Sequence, residues 1–254
     1  MAKKEREEMG KTLIDWADKV FNPITGCSHS GSPGCDNCYA KRMAQRLKGR
    51  YGYPEDDPFR VTFHSDRLNE PLHWKKPSRI FVCSMGDIAH ENVSWTWFEE
   101  IMGTISDCHQ HLFLLLTKRP ERLKKLLGGF WPFHNFWIGV SVENQKTADE
   151  RIPILLQIPA AKRFVSVEPM LGAVDLSGWL FIDEEGNSIE PPIHWIICGG
   201  ETGPHARPLH PDWAMSLKDQ CVAAGIPFFF KSWGTANGKR KTHILDGRQW
   251  NEIP

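Results

Sequence analysis

The sequence predicts an alternating α/β fold built on parallel strands, and three observations carry that expectation. From residue 79 onward, short apolar runs alternate with helical patterns. The runs are apolar at nearly every position rather than every second one, which suits strands buried on both faces of a parallel sheet. Each run ends in a polar or glycine-containing tail, and Val-Ser-Val-Glu at 140–143 recurs at 165–168, a spacing of one strand plus its return helix. Two successive β/α units are therefore expected to present Ser and Glu alike. A βα barrel and an open α/β sheet both satisfy the alternation.

Taken in order, the N-terminus (Met1 to Glu8) is charged and lacks the apolar core of a signal peptide. Residues 1–11 are expected to be a flexible tail. The segment 16–26 is the candidate first strand, followed by a cysteine-bearing loop and a first helix over 39–48. Residues 50–78 show no clear period. Strands are expected within 79–87, 111–119, 136–144, 163–169, 194–202 and 226–234. Helices are expected over 95–109; over 120–127, where Pro120 suits a first turn; over 147–158; and over 212–224. The last opens on Asp212 as a cap and closes before Gly225. Residues 172–193 break the rhythm and read as an insertion forming a hairpin. No composition shift marks a linker, so residues 1–254 are expected to form a single domain.

The chain is long enough to bury a substantial core. Its 31 basic and 31 acidic residues balance, which removes any global electrostatic argument for a nucleic-acid binder and leaves only local patches. Such patches are Lys41, Arg42, Arg46, Lys48 and Arg50, and the run Lys239-Arg240-Lys241. A charge run of this kind is ordinarily a solvated face, although it also suits nucleic-acid phosphates. No apolar run approaches the length that spans a bilayer, so a soluble cytoplasmic protein with no membrane association is expected.

The seven cysteines divide sharply. Cys83, Cys108, Cys198 and Cys221 fall in or beside apolar segments and are expected to be small buried hydrophobes. Cys27, Cys35 and Cys38 crowd into one short loop, which fits ligation or redox work better than a disulfide framework. Soft sulfur ligands suit zinc or an iron–sulfur cluster. A Zn2+ site needs a fourth ligand, and His29 is two residues from Cys27. Three thiolates on a cluster would instead leave one coordination position open.

In parallel α/β folds, active sites gather at the carboxyl ends of the strands. Those ends carry Ser84, Gly86 and Asp87, then Thr117-Lys118-Arg119, Ser141 with Glu143, Ser166 with Glu168, Gly199-Gly200-Glu201, and Lys231-Ser232. Polar residues at the same end of six successive strands point to a shared cleft. Glu143, Glu168 and Lys231 are catalytic candidates there. The same three residues also fit a plain ion-pair network, and the paired glutamates fit a metal-independent barrel hydrolase of glycosidase type.

The block Gly26-Cys27 … Ser32-Pro33-Gly34-Cys35-Asp36-Asn37-Cys38-Tyr39-Ala40 resembles the phage- and prophage-encoded "three-Cys-motif" family, which is grouped with radical S-adenosylmethionine (SAM) proteins. The resemblance extends to Met85-Gly86-Asp87, Leu116-Thr117-Lys118-Arg119-Pro120, Gly139-Val140-Ser141-Val142-Glu143-Asn144, Val167-Glu168-Pro169 and Gly199-Gly200-Glu201. It implies a single-domain, partial (βα)6–7 barrel of radical-SAM type, TIM-barrel-like, with a [4Fe–4S] cluster on Cys27, Cys35 and Cys38. It further implies that SAM is cleaved reductively to start hydrogen abstraction. The implied partners are SAM, a reductant such as flavodoxin or ferredoxin, and either a nucleic-acid or nucleotide substrate or a phage-encoded protein, in a bacterial host cytoplasm. By the same resemblance Ser84, Gly86 and Asp87 would take the SAM amino group, Lys118 or Arg119 its carboxylate, and Glu143 and Glu168 its ribose or the substrate. Glu201 belongs to the Gly-Gly-Glu motif that normally contacts the amino group. Three departures from the usual radical SAM pattern stand out: seven residues separate the first two cysteines, Asn37 replaces an aromatic residue before the last, and Gly-Gly-Glu comes late. A zinc-bound, non-catalytic nucleic-acid-binding or adaptor protein is the alternative.

Overall fold

The computed structural model describes residues 12–128, 134–180, 193–235 and 242–254. The expected tail (1–11), residues 181–192 of the expected hairpin (172–193) and the Lys239-Arg240-Lys241 run lie outside the described residues. In chain order the strands are β1 (Lys19–Phe21), β2 (Ile24–Thr25), β3 (Thr62–Phe63), β4 (Arg79–Val82), β5 (Leu112–Thr117), β6 (Phe136–Val142), β7 (Lys162–Val167), β8 (Trp195–Gly199), β9 (Phe228–Ser232), β10 (Ile244–Leu245) and β11 (Arg248–Gln249). Seven of them form a parallel sheet in the order β1-β4-β5-β6-β7-β8-β9, the α/β class expected of a partial (βα)6–7 barrel. The chain clusters into two compact units: Met1–Ser30, Cys38–Ile138 and Pro159–Ala161 in one, and Gly31–Asn37, Gly139–Ile158 and Lys162–Pro254 in the other.

In the first unit, β1 pairs with β4 (Val20 opposite Phe81) and β4 with β5 (Ile80 opposite Phe113). Helices α1 (Tyr39–Leu47), α2 (Trp95–Asp107) and α3 (Pro120–Leu127) belong to the same unit. The Ser94 hydroxyl caps α2 by accepting from the Trp97 amide at 3.2 Å. Phe98, Ile101, Met102 and Ile105 recur on one stripe of that helix and are buried, each contributing about 1.5–3 kcal/mol through burial. Pro120 opens α3, with Glu121 in its first turn and Lys124 and Lys125 in its last, matching the helix dipole. The first strand is shorter than the segment 16–26 expected for it. Asn22-Pro23 interrupts it, and the chain continues as β2, which pairs antiparallel with β3. Proline has no N–H to give a ladder, and Pro23 instead accepts from the His64 amide at 2.8 Å.

In the second unit, β7 pairs with β8 and β8 with β9, and Phe164, Trp195, Phe228 and Phe230 are buried among them. Helix α4 (Gln145–Leu155) starts from a reciprocal capping box between Asn144 and Thr147. A short α5 (Ser177–Leu180) and the longer α6 (Pro211–Ala224) follow. Gly225, at φ 66°, takes the left-handed conformation that ends α6. Strands β10 and β11 pair as an antiparallel ribbon. Among the described residues, no helix is long and apolar enough to cross a membrane.

Candidate metal and cofactor site

Two elements fix Cys27. Gly26 forms a bridge with Gly86, and its amide donates to the Met85 carbonyl at 2.9 Å. A Cβ at Gly86 would lie 2.8 Å from the Gly26 carbonyl oxygen, so only a glycine there lets the cysteine loop lie against the end of β4. The Asn22 carboxamide oxygen accepts from the Ser84 hydroxyl and the Met85 amide, both at 3.1 Å, which sets the turn after that strand. At the other end of the loop, the Tyr39 hydroxyl donates to the Ser84 carbonyl, and Cys38 is the residue at the N-terminal cap of α1.

Asp87 and Arg119 organise the surroundings of Cys27. The buried Asp87 carboxylate accepts from the Thr117 hydroxyl at 2.8 Å, the Ala89 amide at 3.0 Å and the Lys118 amide at 3.3 Å. Its remaining partner is Arg119, whose Nη1 lies 3.2 Å away. The same Nη1 donates to the Cys27 Sγ at 3.3 Å, Nη2 to both the carbonyl and the hydroxyl of Ser28 at 3.1 Å, and Nε to Glu91 at 3.3 Å. Burial disfavours the Arg119 cation, yet the charges of Cys27, Asp87 and Glu91 outweigh it and hold its pKa above the ordinary value.

Ser28 and the buried His90 are 2.8 Å apart. His90 Nδ1 accepts from the Asn92 amide at 3.0 Å, which assigns the ring proton to Nε2. Burial, reinforced by the Arg119 charge, lowers the His90 pKa and keeps the ring neutral. The imidazole therefore donates to Ser28 and cannot deprotonate it, so the pair holds the loop and is no nucleophile–base dyad.

Cys35 occupies a single 3₁₀ turn, Pro33–Cys35, in the second unit. In that unit the Arg207 Nη2 donates to the Pro33 carbonyl at 2.7 Å and Nη1 to Asp36 at 3.2 Å. Arg207 also grips the buried Glu201 carboxylate at 2.6 and 3.0 Å. Burial works against the Glu201 charge, but hydrogen bonds from Arg207 and Asn37 hold its carboxyl below the usual range.

The two glutamates of the near-repeat have different surroundings. Glu143 is fully buried and pairs at 3.2 Å with Arg151, which also donates to the Ser141 carbonyl at 2.6 Å. Glu168 is half-buried and pairs with Lys231, with Gly199 packed beside both side chains. The expectation that both units present Ser and Glu alike is thus corrected: α4 follows Glu143 and returns Arg151 to it, whereas Pro169 follows Glu168 and no helix begins before Ser177. Sequence reasoning missed Arg151, Arg207 and Asn37 as partners. Arg151 had a readable signal as a cation on the helix that follows Glu143; Arg207 lies in an aperiodic stretch and had none.

The donor chemistry of the three loop cysteines fits a soft metal or cluster. Cys27, Cys35 and Cys38 are half-exposed, while the other four thiols are buried. Burial pushes Cys83 up to about 12 and Cys108 up to about 11, and it raises Cys198 and Cys221 as well, so these four are poor thiolate ligands. Among the described residues, no group of three or more His, Cys, Asp and Glu side chains converges on a point that could hold a metal ion.

A family model described as "Protein of unknown function (DUF5131)" matches residues 11–254. No curated protein matches the chain. Among solved structures, the chain is similar to spore photoproduct lyase complexed with dinucleoside spore photoproduct, at 10% identity and TM-score 0.44, over 84% of this chain and 63% of that one. A cysteine-to-serine mutant of that lyase matches at 13% identity and TM-score 0.44, over 73% and 56%. A double mutant with bound AdoMet and dinucleoside spore photoproduct matches at 11% and 0.40, over 80% and 61%. The chain thus spans less than two thirds of the length of each of these three structures.

Proposed function

The chain belongs to the family described as "Protein of unknown function (DUF5131)", and from the chemistry of its cysteine loop we propose that it is a [4Fe–4S] protein of radical-SAM type. In this reading Cys27, Cys35 and Cys38 hold the cluster. The observation that carries it is the division of the thiols: three half-exposed on one loop, one of them against a guanidinium, and four buried with depressed acidity. When bound, such a cluster supplies the electron that cleaves SAM reductively and so starts hydrogen abstraction.

The chain's own residues have separable parts in this reading. Arg119 offsets the negative charge of thiolate ligation at Cys27, and Asp87 orients Arg119. Ser28 and His90 hold the loop beside it. With its carboxylate engaged by four donors, Asp87 has a positioning part, and Ser84 and Gly86 remain the candidates for the SAM amino group through their backbone carbonyls, the Ser84 one shared with the Tyr39 hydroxyl. Lys118 remains the candidate for the SAM carboxylate, and Glu168 with Lys231 for ribose or substrate. The cations already on Glu143 and Glu168 count against the paired-glutamate hydrolase, which needs one carboxyl free to carry a proton.

The substrate class in this reading is nucleic acid or nucleotide. Its support is the set Lys41, Arg42, Arg46, Lys48 and Arg50, on and just after the helix that Cys38 opens. A flavodoxin- or ferredoxin-type protein would supply the electron, and membership of the phage three-Cys-motif family is part of the same proposal. Anaerobic reconstitution with iron and sulfide tests it. The expected product binds about four irons per chain, shows visible charge-transfer absorption and, once reduced, releases 5′-deoxyadenosine from SAM. Stoichiometric zinc with no visible absorption would replace it with the adaptor reading, and a loaded cluster that leaves SAM intact would remove the catalytic claim.

A further inference from the structure

The 3₁₀ turn that carries Cys35 has no buried residue of its own. A single turn fixes several dihedral angles for very few hydrogen bonds and does not hold itself in water. Its internal bonds are Cys35 N to Ser32 O at 2.9 Å and Asp36 N to Pro33 O at 3.4 Å. The outside contacts fall on both sides of Cys35. Arg207 binds the carbonyl of Pro33 and the carboxylate of Asp36. The Asn37 amide nitrogen donates to Glu201 Oε2 at 2.9 Å and to the His205 carbonyl at 3.1 Å.

Glu201 is the hub. It is 4% exposed, and its two oxygens accept from the Arg207 amide at 2.8 Å, from Arg207 Nε and Nη2, and from Asn37. A buried carboxylate with this many charged and neutral donors is committed to its neighbours. We infer that Glu201, Arg207 and Asn37 form a clamp that sets the conformation of the Cys35 turn. Within the reading of the loop as a cluster site, on which this purpose rests, the late Gly-Gly-Glu positions a cysteine rather than binding the SAM amino group. The clamp also accounts for Asn37 in place of an aromatic residue before Cys38: the position needs a donor that reaches Glu201. All three are positioning residues.

Timed alkylation of the metal-free protein by iodoacetamide, mapped residue by residue by mass spectrometry, tests the clamp. R207M removes the fork from both the loop and Glu201. N37A cuts only the Asn37 side and leaves the buried pair whole, so it keeps the test open if R207M fails to fold. Losing charge-assisted bonds should speed alkylation of Cys35 about tenfold in R207M, and severalfold in N37A. Cys27, tied to Arg119, should keep its wild-type rate, and the four buried cysteines should stay unreactive, which certifies the fold. Cys35 alkylated at the wild-type rate in both variants overturns the clamp. Iron content after anaerobic reconstitution is the second readout: reduced iron in N37A and R207M supports the cluster-directed purpose. Faster Cys35 alkylation in variants of a protein that takes up no iron even as wild type leaves the clamp standing and removes the cluster reading.

Discussion

Replacing Arg119 with methionine keeps the length of the side chain and deletes its charge. Five hydrogen bonds disappear: to Cys27 Sγ, Asp87, Glu91 and two oxygens of Ser28. Glu91 and Ser28 are exposed, so their bonds contribute little. Asp87 decides the magnitude, because it is 5% exposed and loses its cation. Removing a charged partner from a buried group costs about 1.5–3 kcal/mol. It does not reach the ~3–5 kcal/mol of a broken buried ion pair, because Thr117, Ala89 and Lys118 still donate to the carboxylate. At about 2–4 °C per kcal/mol for a chain of this size, R119M should melt roughly 3–12 °C below wild type. D87N in the same background removes the stranded charge and should restore part of the loss. Circular-dichroism melts of the wild type, both single variants and the double variant give the coupling. An R119M midpoint equal to wild type, or a double variant that loses the full sum of the singles, would refute the reasoning.

The Glu143–Arg151 pair is more deeply buried, so R151M should cost about 3–5 kcal/mol in urea unfolding and E143Q/R151M distinctly less; equal costs would show that the charge is not what matters. Burial, with help from the Arg67 charge, lowers the His64 pKa from its ordinary 6.5 to about 4. The unfolded chain then takes up a proton that the folded one refuses, so stability is complete above pH 6.5 and falls as pH drops toward 4. H64Q, which can keep a hydrogen bond to Thr25, should show a shallower decline of melting temperature across that window, and parallel curves would count against it.

The sheet was legible because its strands are buried on both faces. The unbroken apolar runs 112–116 and 226–230 lie in β5 and in and just before β9, near the centres of the segments expected for them. Helix starts were legible where chemistry marks them: Pro120 opens α3 at the expected residue, whereas α4 begins two residues early because the cap is Asn144, not a residue beside Thr147. The first strand is shorter than its apolar residues suggest, since Pro23 is invisible to a count of apolar residues but decisive for pairing. In the candidate site, residue type showed which side chains carry chemistry, but not which are spoken for. Asp87 and Glu201 look alike as acids at strand ends. Only their surroundings reveal that one holds Arg119 and the other Arg207 and Asn37, and these last two come from stretches with no period to read.

Gly26 and Gly86 meet backbone to backbone at the root of the cysteine loop. Far apart in sequence, each is held at its own contact: a methyl at Gly86 presses on the Gly26 carbonyl, while a Cβ at Gly26, at φ 83°, would lie 2.1 Å from the Arg60 carbonyl oxygen, and Cys27 is the next residue. Among family members both positions should therefore stay glycine. A relative that keeps its three cysteines but fills one glycine would need a rebuilt loop as well. Such a pair would serve as a sequence marker of this loop geometry that owes nothing to the cysteines themselves.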